Sequence, residues 1–260
     1  MRAMRTRFDH AVVVVGSLAE ASSRFRDAGF VVTPGGRHDA LPTENALVAF
    51  ADGSYLELLA CREPAAREEL RALRGTDRWE AHLHGASAIA RRFLPRLAGP
   101  DGVGDAVIGG EALARFAAES RRRLGTVTTG PVPMRRERRG ADALAWTLLL
   151  PADDGVPFLI EDETPRDSRV PGGAATAHAN GASGVAAVEI GSREPAALAL
   201  RLADLFEARL ESGAGRTRAR FAGIAWDVTA AETDGARGVR LAGTGALPAA
   251  IEALGVRGPS

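Results

Sequence analysis

The chain has 260 residues, 45% of them hydrophobic and 25% charged, enough for a sizeable core in one or two domains. Its 33 basic residues balance 33 acidic ones, so no overall field draws it to nucleic acid or to an anionic membrane. The single cysteine, Cys61, excludes an internal disulfide and a cysteine-based zinc cluster.

Residues 1–7 are basic but run into only a short apolar stretch at 11–15, too short for the core of a signal peptide. No stretch approaches the ~20 apolar residues of a spanning helix, so the expected location is cytoplasmic. The heavy use of Ala, Arg and Gly suggests a GC-rich bacterial source.

The β-branched run at 11–15 predicts a buried strand. Ser17 caps a helix with Glu20 in the capping-box position, Leu18, Ala21, Phe25 and Ala28 form its apolar face, and Gly29 stops it. Residues 30–33 read as a second strand ended by Pro34-Gly35-Gly36. A polar loop carries Arg37, His38, Thr43, Glu44 and Asn45, and strands at 46–50 and 54–60 flank the turn Asp52-Gly53. The order is β-α-β-β-β.

Residues 64–97 are helical in character, broken at Gly75-Thr76 and Gly85, and read as an insertion. The opening pattern then recurs, with strands at 103–108, 126–135, 142–150 and 157–161 and a helix at 110–124. A Gly- and Pro-rich linker follows. An abbreviated third copy has strands at 184–190, 217–222, 224–229 and 239–242, a helix at 194–211, and a short helix near 248–254. The predicted organisation is a first module at 8–61, the insertion at 62–100, a second module at 101–163, the linker at 164–183 and the third copy at 184–260.

Several segments resemble the glyoxalase-like domain family of the vicinal oxygen chelate superfamily. They are Asp9-His10, Ala28-Gly29-Phe30, Pro34-Gly35-Gly36-Arg37-His38, Thr43-Glu44-Asn45-Ala46-Leu47 and Tyr55-Leu56-Glu57-Leu58. Arg138, Trp146 and Pro157-Phe158-Leu159-Ile160-Glu161 resemble the family's second half, and His178-Ala179-Asn180-Gly181 resembles a His-Pro-Asn-Gly segment with Ala179 in place of proline. The resemblance implies an α+β fold of repeated βαβββ modules whose curled mixed sheets enclose a cleft.

It also implies a divalent ion (zinc, manganese, iron or nickel) held by residues of the first and fourth strands of each module. His10 and Glu57 are those positions in the first module, and Glu161 is the fourth-strand candidate of the second. Alternation places Phe8, His10, Val12 and Val14 on one side of their strand, and Tyr55, Glu57 and Leu59 on one side of theirs. A one-residue slip of register would turn Glu161 to the opposite face. The first strand of the second copy offers only Asp105, and the third copy offers no histidine in its first strand and no glutamate at 239–242.

Glu57 and His38 are the catalytic candidates, with Thr43, Asn45, Tyr55 and Trp146 as substrate contacts. Each has a structural alternative: His10 as a hydrogen-bonded core residue, Glu57 as the wet side of a strand, and His38 with Thr43 and Asn45 as loop bracing. His178 and Asn180 read as a turn, and His82 with His84 as a solvated pair. The arginine runs at 121–123 and 135–139 read as solvated faces or as the mouth of an anion site. No phosphate-binding glycine loop and no Gly-x-Ser-x-Gly elbow is present.

Two functions follow for the cleft, and a scaffold or partner-binding role for the insertion at 64–97 is a third. One is a metal-dependent lyase, isomerase or dioxygenase acting on a small oxygenated molecule. The other is a non-catalytic protein that sequesters a small molecule in the same cleft. A small-molecule ligand and a homodimer are the expected partners, with neither nucleic acid nor membrane.

Overall fold

The computed structural model describes residues 5–138, 141–213 and 215–259, with the side chains of 137, 138 (the Arg138 of the family-like second half), 141 and 142 outside the description. The first module runs β1 (Thr6–Val14), α1 (Leu18–Asp27), β2 (Thr33–Arg37), β3 (Thr43–Ala49) and β4 (Tyr55–Cys61). The insertion forms α2 (Pro64–Arg74), α3 (Trp79–Gly85) and α4 (Ala88–Leu97). The second module follows as β5 (Gly102–Gly110), α5 (Leu113–Leu124), β6 (Thr128–Arg138), β7 (Ala141–Pro151) and β8 (Phe158–Asp162). Two 3-10 turns, Arg166–Ser168 and Gly173–Thr176, lead to β9 (Gly184–Ser192), α6 (Pro195–Phe206), β10 (Arg209–Gly213), β11 (Arg216–Phe221) and β12 (Ile224–Ala230). β13 (Gly235–Ala242), α7 (Ala249–Glu252) and β14 (Val256–Arg257) complete the chain.

The modules join edge to edge. One sheet has the order β2-β3-β4-β1-β5-β8-β7-β6, so β1 and β5 are antiparallel neighbours at its centre. It curls into a half-barrel. The second sheet, β10-β11-β12-β9-β13-β14, repeats the same order as far as its sixth strand. β9 pairs parallel with β12 as β1 does with β4, and β13 with β14 as β5 does with β8. The repeat therefore continues into a fourth, truncated module. This corrects the expectation that residues 239–242 close the third copy; its fourth strand is β12.

Two other boundaries differ from the sequence pattern. β2 contains Pro34 and Gly35 instead of ending at them, because it is an edge strand with an irregular register against β3, where a missing N–H costs little. The helix expected to reach 211 stops at Phe206, where Glu207 adopts φ 53° and turns the chain into β10. The residues beyond, Arg-Leu-Glu-Ser, suit a helix or an edge strand equally, and pairing with β11 decides.

The convex faces of the two sheets share a core through α1 and α6. Phe206, Phe221 and Trp226 stack at 4.7 Å steps, and Phe8 meets Trp226 edge-on at 5.9 Å. The insertion fills part of the concave trough of the first sheet, where Trp79, Ile89, Phe93, Leu94 and Leu97 pack on Val12, Val14, Leu59, Val107 and Phe158. It is anchored by buried Arg92, whose guanidinium donates twice to Asp105 at 2.7 and 2.9 Å and also to the carbonyls of Pro151 and Val156. Asp105 is thereby a structural anchor on β5. No helix among the described residues is long and apolar enough to cross a membrane.

Candidate functional site

What the helices leave unfilled is a cavity in the half-barrel enclosing roughly 760 Å³ of space, part of it open to solvent. His10, His38, Thr43, Asn45, Tyr55, Glu57 and Trp146 all line it. Phe93, Met134, Leu148, Phe158 and Ile160 supply apolar wall. Polar groups gather at one pole, on the first module.

A β-bulge builds that pole. Phe8 pairs with Ile108 and His10 with Val107, so Asp9 is an extra residue in β1. The alternation expected for this strand breaks there: Phe8 belongs to the convex core, whereas Val12 and Val14 belong to the concave one with His10 lining the cavity. The bulge also brings Asp9 beside its neighbour, so that His10 Nδ1 donates to Asp9 Oδ1 at 2.8 Å. On its other side His10 Nε2 lies 3.4 Å from Glu57 Oε2, and the ring stacks on Tyr55 at 4.4 Å.

These contacts set the charges. Burial works against a charged His10 ring, but the hydrogen bonds and charges of Asp9 and Glu57 outweigh it and raise its pKa above 6.5. Burial likewise opposes ionisation of Glu57, yet His10, His38 and Asn45 together bring its pKa down to about 2. The surroundings therefore favour the protonated His10 ring, and Glu57 is a carboxylate at neutral pH. For His38 burial dominates and lowers the pKa, so its ring is neutral.

Asp9 is fully buried and is held by the linker. Arg169 Nη1 and Nη2 donate to its two carboxylate oxygens at 3.1 and 3.3 Å, and Arg166 adds a third contact at 3.0 Å. Arg169 also donates to the Tyr55 hydroxyl at 2.7 Å and to Asp162 of the second module at 2.8 Å, tying both modules together beneath the cavity. Arg169 and Arg166 were not singled out in the sequence. They lie in a segment that reads as linker, and no local pattern marks which of its arginines turns inward.

Asn45 is positioned by the glycines before it. Gly36 N–H donates to Asn45 Oδ1 at 2.7 Å, and a Cβ at Gly35 would lie 2.0 Å from that same oxygen. The Asn45 amide then donates to Glu57 Oε1 at 2.5 Å and faces His38 Nε2 at 3.4 Å. His38 Nδ1 contacts Thr43 Oγ1 at 2.8 Å. Arg136, from one of the arginine runs, crosses over Gly36 at the cavity wall.

Glu161 is not brought to this group. It lies on the other face of β8, where its carboxylate accepts from Ala112 N and Leu113 N at 2.7 and 3.2 Å and caps α5. Its expected meeting with His10 is corrected by the register. Tyr55 pairs with His10 and Phe158 with Val107, so the residue matching Glu57, two positions further along, is Ile160. The four related positions are thus His10, Glu57, Val107 and Ile160, of which two have no donor atom. Among the described residues no three of His, Cys, Asp and Glu are arranged to hold a metal. An Asn45 N–H also stands between Glu57 and His38. The residues present do not fit the divalent ion that the fold implies.

The histidines outside the cavity have other places. His178 Nδ1 accepts from Val31 N and its Nε2 donates to Ala49 O, both at 2.9 Å, while Asn180 donates to Ala28 O. This segment stitches the linker to the first module. His82 stacks on Trp79 at 6.2 Å on α3, outside the cavity.

A family model described as glyoxalase-like domain matches residues 8–206, three quarters of the chain. The chain belongs to the glyoxalase-like domain family. A hypothetical protein from Staphylococcus aureus superposes with TM-score 0.68 at 18% identity, covering 92% of this chain and 91% of that one. A mutant 4-hydroxymandelate synthase from Streptomyces coelicolor gives 0.57 at 14% identity, covering 92% and 71%. The Mn(II)-bound glyoxalase of Novosphingobium aromaticivorans gives 0.52 at 8%, covering 92% and 66%. At these identities the likeness is one of fold. No curated protein matches this member of the family.

Proposed function

We propose that this glyoxalase-like protein binds a small, largely apolar molecule in the half-barrel cavity and does so without a resident divalent metal. The observation that carries this reading is Val107 and Ile160 at the positions related to His10 and Glu57. Apolar side chains there remove half of a chelating set while adding wall to the pocket. The group that offers positive charge to Glu57 is the His10 ring, 3.4 Å away and with its pKa raised. Of the two functions expected for the cleft, sequestration is the better supported.

One feature favours a catalytic variant of the same site. His38 is neutral, lines the cavity and lies 3.7 Å from Glu57, so it can take a proton from a bound ligand. Metal analysis of protein purified with zinc, manganese, iron or nickel supplied tests the metal-free reading. Sub-stoichiometric metal, unchanged in His10→Ala and Glu57→Ala, is expected. Stoichiometric metal that disappears in both variants would overturn it.

A further inference from the structure

Hydrogen-bond polarity at the pole can be followed from one fixed donor. Gly36 N–H can only donate, and it donates to Asn45 Oδ1 at 2.7 Å. That sets the orientation of the amide, and its Nδ2 hydrogens face Glu57 Oε1 at 2.5 Å and His38 Nε2 at 3.4 Å. His38 Nε2 therefore carries the lone pair. The ring hydrogen sits on Nδ1 and is donated to Thr43 Oγ1 at 2.8 Å. The ionised Glu57 carboxylate is likewise an acceptor only. Both groups turned to the cavity at this point accept, and neither donates; the Asn45 approach to His38 Nε2, at 3.4 Å, is long enough for a ligand donor to take over that lone pair.

Charge narrows the choice further. A ligand carboxylate here would face the Glu57 carboxylate and the His38 lone pair. A ligand ammonium would face the Arg136 and Arg169 guanidinium groups, which share the same lining. Away from the pole the walls are aromatic and aliphatic, with Trp146, Phe93 and Phe158 suited to a flat body.

We infer that the ligand is an uncharged, flat, mainly apolar molecule whose polar end donates a hydrogen bond, a hydroxyl or amide N–H, to His38 Nε2 and Glu57. This rests on the cavity being the ligand site, and the test separates the two statements.

The probes are 2-naphthol, 2-methylnaphthalene and 2-naphthoate, which share one flat body and differ at one substituent, titrated calorimetrically into the full chain. The expected result is that 2-naphthol binds about tenfold more tightly than either of the others, the worth of one such hydrogen bond. In His38→Phe that advantage disappears while 2-methylnaphthalene still binds, which also reports an intact cavity. Thr43→Val, which removes the acceptor for the Nδ1 hydrogen, reduces the advantage without abolishing binding. Equal affinities for 2-naphthol and 2-methylnaphthalene, or tightest binding of 2-naphthoate, would overturn the inference and leave the cavity as the site. Failure of all three probes to bind folded protein would overturn the cavity reading and the inference with it. Nitrogen-15 shifts of the His38 ring provide a second measurement: an Nε2-protonated ring in the free protein contradicts the assignment directly.

Discussion

Asp227 occupies in the second sheet the position that Glu57 occupies in the first. His10 pairs with Tyr55 and Ala187 with Ala225, and each carboxylate lies two residues beyond. The bulge that sets Asp9 apart in β1 has its counterpart at Ala186 in β9. Their surroundings have diverged. Glu57 meets histidine and amide groups beside a cavity, whereas Asp227 accepts from Arg218 at 2.7 and 2.9 Å and from Arg240.

Asp227 is therefore expected to stabilise the fold. Burial opposes its ionisation, but Arg218 and Arg240 lower its pKa below 3.8. A depressed carboxylate contributes stability above its unfolded pKa and loses it as pH falls through the folded one. Asp227→Asn should cost about 1–3 kcal/mol in chemical denaturation at neutral pH, since Arg218 is partly exposed. The difference should shrink towards strongly acid pH. An equal cost at all pH values would show that the charge is not the cause.

The His10–Glu57 pair sets limits on both sides of neutrality. Glu57 falls from 4.5 to about 2, so its contribution is complete above about pH 4.5 and fades as pH drops towards 2. His10 is raised above 6.5, so its contribution is complete below that value and fades as pH rises through the folded pKa. The two shifts share the His10–Glu57 interaction, while Asp9, His38 and Asn45 supply the rest, so the pair itself is worth less than roughly 3 kcal/mol. Glu57→Gln should lower the His10 pKa, read from its ring proton shifts, and flatten the stability profile on both sides. An unmoved His10 titration would refute the pairing.

Much of this site is legible in the sequence because it lies on one module with clear punctuation. Tyr55, Glu57 and Leu59 alternate as a regular strand should, and they do face the trough. β1 is different. Nothing in Phe-Asp-His-Ala marks a bulge, because the extra residue is defined by pairing with β5, nearly a hundred positions away. The same limit applies to Glu161, whose face depends on register against β5 and β7. Arg169 was hidden for another reason. Its partners Asp9, Tyr55 and Asp162 come together only when both modules have formed.

Gly35 is where a small change should disable the pole while sparing the core. Gly35→Ala would place a Cβ 2.0 Å from Asn45 Oδ1 and 2.9 Å from its backbone oxygen, and the second cannot move without shifting β3. Asn45 should rotate away from Glu57 and His38. Expected are a stability loss of about 1–3 kcal/mol and a change in the His38 ring nitrogen shifts. Wild-type shifts in this variant would mean that Asn45 does not orient the ring.

Arg92 should govern the insertion. Both members of its pair with Asp105 are buried, and loss of one partner leaves the other charge uncompensated, at a cost of about 3–5 kcal/mol. In Arg92→Met, hydrogen exchange should accelerate first over α4, whose Phe93 walls the cavity. Uniform acceleration over the whole first sheet would instead indicate global destabilisation.

Glu161 offers the cleanest separation of its two assigned roles. As a cap, its carboxylate satisfies two backbone donors at the start of α5, and Ala112 there holds φ 59° with no capping side chain of its own. Glu161→Ala should therefore cost about 1 kcal/mol, with faster exchange in the first turn of α5. Because the side chain is on the far face of β8 from Ile160, probe binding in the cavity and metal content should both be unchanged. Loss of either, in protein whose α5 exchange is normal, would return Glu161 to the site.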